Sequence, residues 1–134
     1  MNNVRAFELT VDGVTYKVFV LFPSLVNDFE IREGENAGYA QSGREIRDII
    51  GTAYSYTMEV EPNPLFPEDY DKLFDVLSAP VESHRVSLPY GQGELEFDAA
   101  ISSGQRSYHG RTGGYKRWKG MEVAFRPIAP QRTE

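Results

Sequence analysis

Residues 53–60 read Ala53-Tyr54-Ser55-Tyr56-Thr57-Met58-Glu59-Val60, and beyond Asn63-Pro64-Leu65-Phe66-Pro67 they give way to Glu68-Asp69-Tyr70-Asp71-Lys72-Leu73-Phe74-Asp75-Val76-Leu77. The first stretch has a period of two: Tyr54, Tyr56, Met58 and Val60 share one side of a strand, Ala53, Ser55, Thr57 and Glu59 the other. In the second, Tyr70, Leu73, Phe74 and Leu77 follow helical spacing and form one apolar stripe, while Asp71, Lys72 and Asp75 face away. Pro67 suits the first helical position, where a missing N–H costs nothing. Glu68 and Asp69 suit the positive end of the helix dipole, and Ala79-Pro80 stops a helix of about 67–79. The change of period places one amphipathic helix inside a β framework.

Strands flank it on both sides. Downstream, a strand starting at Val81 or His84 runs to Leu88, and Pro89-Tyr90-Gly91-Gln92-Gly93 turns the chain. Glu94–Ile101 is the most regular strand, with Leu95, Phe97, Ala99 and Ile101 on one face. A basic, Gly-rich loop is expected over 102–117, and Trp118–Pro127 alternates again through Met121, Val123 and Phe125. Upstream, Phe7–Val11 meets Asp12-Gly13, a pair that accepts the positive φ angles of a two-residue hairpin turn. Val14–Leu21 completes a hairpin over 5–22, and Leu25–Arg32 is a further candidate strand. Residues 33–43 are polar and Gly-rich, solvent filler or an arm that orders on a partner. The expected fold is mainly β (α+β), an antiparallel β-sandwich or split barrel with one helix, in a single domain 1–134. No internal repeat is evident in the residues, and the tail from Ile128 is expected to be an extended end.

The composition fits that fold. The chain has 134 residues, enough to bury a core without staples. Its 13% aromatic content suits cross-strand pairs. With no cysteine there is no disulfide framework, thiolate metal site or Cys nucleophile. No apolar stretch follows a basic start, so no signal peptide is expected, and the longest apolar run, Val18–Phe22, is far too short for a helical membrane span. The expectation is synthesis in the cytoplasm and a soluble product. A net charge of −6 makes a poor general nucleic-acid binder. The charge is uneven, however. Arg106–Lys119 holds five cations, His109 and no acid, whereas Glu59–Asp75 holds six acids and one lysine.

No arrangement of catalytic residues stands out. His84 and His109 lack the spacing of metal ligands, and a zinc site needs three or four converging side chains. Ser42-Gly43 and Ser102-Ser103-Gly104 precede no helix, unlike a nucleophile elbow. Glu94, Glu96 and Asp98 on one strand face match a solvated side better than a glycosidase pair, although a hydrolase using Glu94 and Glu96 is one reading. Arg111-Thr112-Gly113-Gly114 leads into a strand and lacks the ending of a phosphate-binding loop. The basic stretch 106–119 has three readings. It is a solvated hairpin loop, or a docking surface for the acidic 59–75 segment or 94–98 strand face of a neighbouring copy, or a DNA contact stacking on Tyr108, Tyr115 and Trp118.

The order strand, helix with the Tyr70/Leu73/Phe74/Leu77 stripe, strand, strand, long loop, strand resembles the N-terminal domain of siphophage distal tail proteins and the related tail-tube β-sandwich. The strings Glu35-Asn36-Ala37-Gly38, Ser42-Gly43 and Arg47-Asp48-Ile49-Ile50-Gly51-Thr52 resemble small prophage-encoded tail-region proteins of Gram-positive gut bacteria. So do Leu77-Ser78-Ala79-Pro80-Val81, Pro89-Tyr90-Gly91-Gln92 and Ala129-Pro130-Gln131-Arg132. The resemblance implies a non-enzymatic virion protein needing no cofactor or metal, assembling as a ring, a hexamer, at the tail tip or along the tube. Its implied neighbours are the tape measure, the tube and the tail-associated hub, with no membrane and no sequence-specific nucleic acid. Distal tail proteins usually carry a second, C-terminal domain, and this sequence ends at Glu134, so the expectation is a minimal version, a tube protein or another ring of the same fold. Exposure and chemistry nominate Tyr39, Arg44, Arg106, Tyr108, Arg111, Tyr115, Arg117 and Trp118 as interface residues. The alternative is a carbohydrate- or ligand-binding β-sandwich with Tyr108, Tyr115 and Trp118 as an aromatic platform.

Overall fold

The computed structural model describes residues 4–35 and 38–133. Strands β1 (Val4–Val11) and β2 (Val14–Leu21) form the hairpin around Asp12-Gly13, whose φ angles of 52° and 83° are the positive values that such a turn needs. Strand β3 (Val26–Glu33) follows, then the two-residue strands β4 (Gly38–Tyr39) and β5 (Glu45–Ile46), and the long β6 (Ile49–Glu61). Helix α1 (Pro67–Leu77) links these to β7 (His84–Tyr90), β8 (Gly93–Ala100), β9 (Gly104–Thr112) and the long β10 (Tyr115–Pro127).

Every strand pairing is antiparallel, and the main sheet runs β3-β6-β2-β1-β7-β8-β10-β9. Strands β6 and β10 also pair with each other, from Val60 opposite Met121 to Tyr56 opposite Phe125. That seam closes β6, β2, β1, β7, β8 and β10 into a barrel, leaving β3 and β9 as its outer flaps. Closure removes most sheet edges, and the fold class expected from the alternation is the one observed.

The two halves repeat one plan. In the first, β2 pairs with β1, bends at residues 22–25 and continues as β3 against β6. In the second, β8 pairs with β7, bends at residues 101–103 and continues as β9 against β10. At each bend two residues touch the long strand: Phe19 and Val20 meet Glu61 and Val60, and Ala99 and Ala100 meet Pro127 and Arg126. The repetition lies in topology. The residues share no recognisable pattern, so it was not evident in the sequence.

One buried cluster fills the barrel. Leu9, Val11, Val18, Val20, Tyr56, Met58, Val60, Val86, Leu88, Phe97, Met121, Val123 and Phe125 line it, and α1 adds Tyr70, Leu73 and Leu77. Burying each such side chain is worth about 1.5–3 kcal/mol. The Tyr56 ring stacks on Phe97 and its hydroxyl donates to the Pro89 carbonyl at 2.8 Å. Burial pushes that hydroxyl up to about 12. The Lys17 amide donates to the Asp69 carboxylate at 2.8 Å, which docks the first turn of α1 on β2. The helix ends at Leu77, two residues before the expected stop, although the Ser78 and Ala79 amides still bond back to Phe74 and Val76.

One expectation is corrected, and two are given detail. The stretch 102–117 is not a loop. Gly104–Thr112 and Tyr115 onward are paired strands around Gly113-Gly114, whose φ angles of 60° and 101° make a tight turn. Gln105, Ser107 and His109 alternate with Arg106, Tyr108 and Gly110, so neither face of β9 reads as apolar, which hid the alternation. The stretch 33–43 remains mostly turn and bend, with Gly38–Tyr39 as a two-residue strand, and Asn36 and Ala37 lie outside the described residues. The β4–β5 pair closes through an Ala40 amide bond to the Arg44 carbonyl. The tail expected as an extended end is pinned to β6: Thr52 and Arg132 exchange backbone bonds at 2.7 and 3.3 Å. The Gln131 side-chain amide accepts from the Tyr54 N–H and donates to its carbonyl, both at 2.8 Å, acting as a substitute strand.

Beyond the turn itself, Asp12 joins the halves. Its amide donates to the Arg85 carbonyl at 2.7 Å. Its carboxylate accepts from the Arg85 amide at 2.9 Å and meets Nδ1 of buried His84 at 2.7 Å. The hydrogen bond with His84 holds the Asp12 carboxyl below the usual carboxylate range, against the opposing pull of partial burial, with the Arg85 amide assisting. A depressed carboxylate contributes stability above its unfolded value and loses it as pH falls through its folded one. Wild-type stability should therefore drop on acidification below about pH 4. Asp12→Asn should lower the urea midpoint at pH 7 and flatten that acid limb. Gly51 sits where a Cβ would lie 2.5 Å from the Arg132 carbonyl oxygen and 2.9 Å from Pro130. Gly51→Ala should displace the tail and lower unfolding free energy by about 1–3 kcal/mol, read by urea titration with amide exchange at Thr52 and Arg132.

Candidate interaction surface

The two flaps carry the chemistry. In each, a strand continues past one end of the barrel with the first half of its long partner, β3 with β6 and β9 with β10; because β6 and β10 run antiparallel, the two flaps leave opposite ends. They differ in what lies on their inner face.

On the β9–β10 flap, Trp118 sits opposite Tyr108, with ring centroids 5.0 Å apart. The Arg106 guanidinium lies 4.0 Å from the Phe74 ring centroid and 4.6 Å from that of Trp118, and Nη1 reaches Oδ1 of Asp71 at 2.7 Å. Planar stacking plus a carboxylate suits arginine and no other cation. The side chain is only 17% exposed. Arg106 therefore clips its own flap to its own helix. Of the nominated interface residues, Arg106 and Trp118 are committed within the chain, and Asp71 within the acidic 59–75 segment is already paired.

Tyr108, Arg111, Tyr115 and Arg117 stay exposed on that flap, as do His109 and Lys116, so the basic surface remains. Tyr39 and Arg44 are exposed on the β4–β5 hairpin of the other flap, so the structure does not join all eight nominated residues into one patch. The acidic face of β8 meets its own neighbour: Arg85 lies 3.2 Å from Glu96 and 3.5 Å from Asp98. Exposed pairs of this kind are worth little, and the face is a solvated strand side.

A groove of about 670 Å³ runs between the basic flap, from Thr112 and Tyr115 at its tip to Lys119, and the loop before α1. Phe19, Pro62, Pro64, Tyr115 and Trp118 give it apolar walls, and Lys116, Arg117 and Lys119 oppose Glu61 and Asp71. The buried Tyr70 hydroxyl at its inner wall has no well-formed hydrogen bond, and burial pushes it up. A second depression, of about 630 Å³, holds Glu59 and Glu122, directly opposed across β6 and β10. Partial burial, then Glu61 and Glu122, raise the Glu59 carboxyl. The sequence offered no signal for this pair, since 63 residues separate its members. Among the described residues no three His, Asp or Glu side chains converge as metal ligands, and no helix is long and apolar enough to cross a membrane.

The β3–β6 flap carries no helix. Phe29 and Ile31 are 69% and 42% exposed, opposite Tyr54 and Thr52, and Ile50 beyond them is 51% exposed. These side chains extend the barrel's apolar inner face past its mouth. Sequence alternation alone could not distinguish that extension from core. No family model matches this chain, and no curated protein matches it in sequence.

The Arg106 clip makes a definite demand. Arg106→Ala should lower unfolding free energy by about 1–3 kcal/mol through lost stacking and cover. Arg106→Lys should recover only part of it, because a lysine keeps the charge but not the planar contact. Urea unfolding of the three proteins side by side measures both effects.

Proposed function

We propose that this chain is a non-enzymatic structural subunit of a bacteriophage tail, a ring-forming distal-tail or tail-tube-like protein of a siphophage or prophage. The observation that carries the reading is the pair of flaps. A closed antiparallel barrel holds two strand pairs beyond its opposite ends, one basic and one with bare apolar side chains. Such a body suits lateral assembly of identical copies better than turnover of a small substrate, and the motif resemblance along residues 28–132 favours the same reading. In it, six copies surround a channel, with tape measure, tube and hub proteins above and below. The protein is made in the host cytoplasm and resides in the virion tail. No cofactor enters this role.

One observation favours a second reading. The groove beside Tyr115 and Trp118 has the apolar walls and polar rim of a carbohydrate or ligand site. Negative-stain electron microscopy of the concentrated protein, alone and with the products of neighbouring tail genes, should show annular particles or stacked tubes. A protein that never assembles with those partners, yet binds glycans in a manner abolished by Trp118→Ala, would replace the tail reading with the second one.

A further inference from the structure

The main sheet begins at β3 and ends at β9, and among the described residues neither outer edge pairs with another strand. Open edges are templates for pairing with another chain, and proteins usually blunt them. Here they have matching lengths, eight and nine residues, and opposite charge. Residues 26–50, which contain β3, hold six carboxylates and three arginines. Residues 104–119, which contain β9, hold five cations and no carboxylate. Two of the acids meet arginines of their own flap, Glu30 with Arg32 at 3.5 Å and Glu33 with Arg47 at 2.8 Å, and the flap as a whole stays net acidic. On the basic side Arg106 is occupied, while Arg111, Lys116 and Arg117 are exposed.

The repeated plan sharpens the contrast. In the second half the flap's inner face is covered by α1 through Phe74 and Arg106. In the first half the corresponding face shows Phe29, Ile31 and Ile50 to solvent, and every residue of β3 except Arg32 is exposed.

We infer that β3 of one molecule pairs edge to edge with β9 of a second copy of this chain, continuing the sheet from molecule to molecule. Like edges repel: two β3 flaps bring acid to acid, and two β9 flaps bring cation to cation. The favoured contact is therefore heterologous, using two different surfaces, and such contacts generate rings or open filaments rather than closed dimers. Main-chain hydrogen bonds hold the added strand, its side chains cover Phe29 and Ile31, and the opposed charges set partner and register. The inference deepens the ring-forming reading and rests on it for closure into a ring, not for the contact itself.

The absence of cysteine makes the test clean. Asn27→Cys places a thiol on β3 and Ser107→Cys one on β9, both at exposed, uncharged positions. The two variants, carrying different affinity tags, are mixed in equal amounts, concentrated and treated with a short bismaleimide. The expected product is dominated by the heterodimer that joins the β3 thiol of one variant to the β9 thiol of the other, well beyond the half share that random collision gives. Arg111→Glu with Lys116→Glu in the Ser107→Cys partner should cut its yield several-fold, with circular dichroism unchanged. Added salt should lower it as well. No heterodimer, a random share, or dominant homodimers would overturn the edge contact. Rings seen by microscopy without this cross-link would defeat the contact and spare the tail reading. Cross-linked chains that ignore tail partners would do the reverse.

Discussion

Val60, Met58 and Tyr56 of β6 lie against Met121, Val123 and Phe125 of β10, and on this seam the rest of the molecule depends. Each long strand is hydrogen-bonded on both edges: β6 to β3 and β2 on one side, β10 to β9 and β8 on the other. Without the seam the sheet would be an open ribbon with its core side in water. With it, alternate residues of six strands face one enclosed volume and the helix need only cover what remains. The opposite seam, between β1 and β7, is short, two residue pairs, and the Asp12 turn reinforces it from outside.

The repeated plan explains why the flaps exist. A strand that bends from one partner to the next must leave its far end beyond the barrel, and this happens once in each half. The halves then diverge. One flap is folded under α1 by Arg106, where stacking on two rings compensates for holding a guanidinium out of water. The other has no such cover and keeps its apolar side chains in solvent. The same geometry thus yields one finished surface and one unfinished surface on a single chain.

Much of the barrel was legible in the sequence because its strands have one wet face and one dry one. Asp12-Gly13, the Leu95/Phe97/Ala99 alternation and the Tyr70/Leu73/Leu77 stripe each announce a local structure that the fold keeps. Strand β9 was not legible, since Gln105, Ser107 and His109 alternate with residues that are themselves polar or aromatic and its glycines suppress strand propensity. Nor was the inward turn of Arg106. An arginine in a basic run looks solvated until a helix far upstream supplies rings and a carboxylate. Tyr54 shows the limit of periodicity: it continues the phase of Tyr56 and Met58, yet lies past the end of the barrel, only half-buried beside Tyr90.

The pinned tail has a consequence for folding. Residues 121–125 and 131–132 complete β6, yet each lies more than about sixty positions along the chain from its partner. Until those distant segments meet, the longest strand of the first half is paired on one edge alone, and contacts of such separation slow folding. A partly folded chain in that state shows its neighbours a second sticky border, one that the finished molecule has sealed.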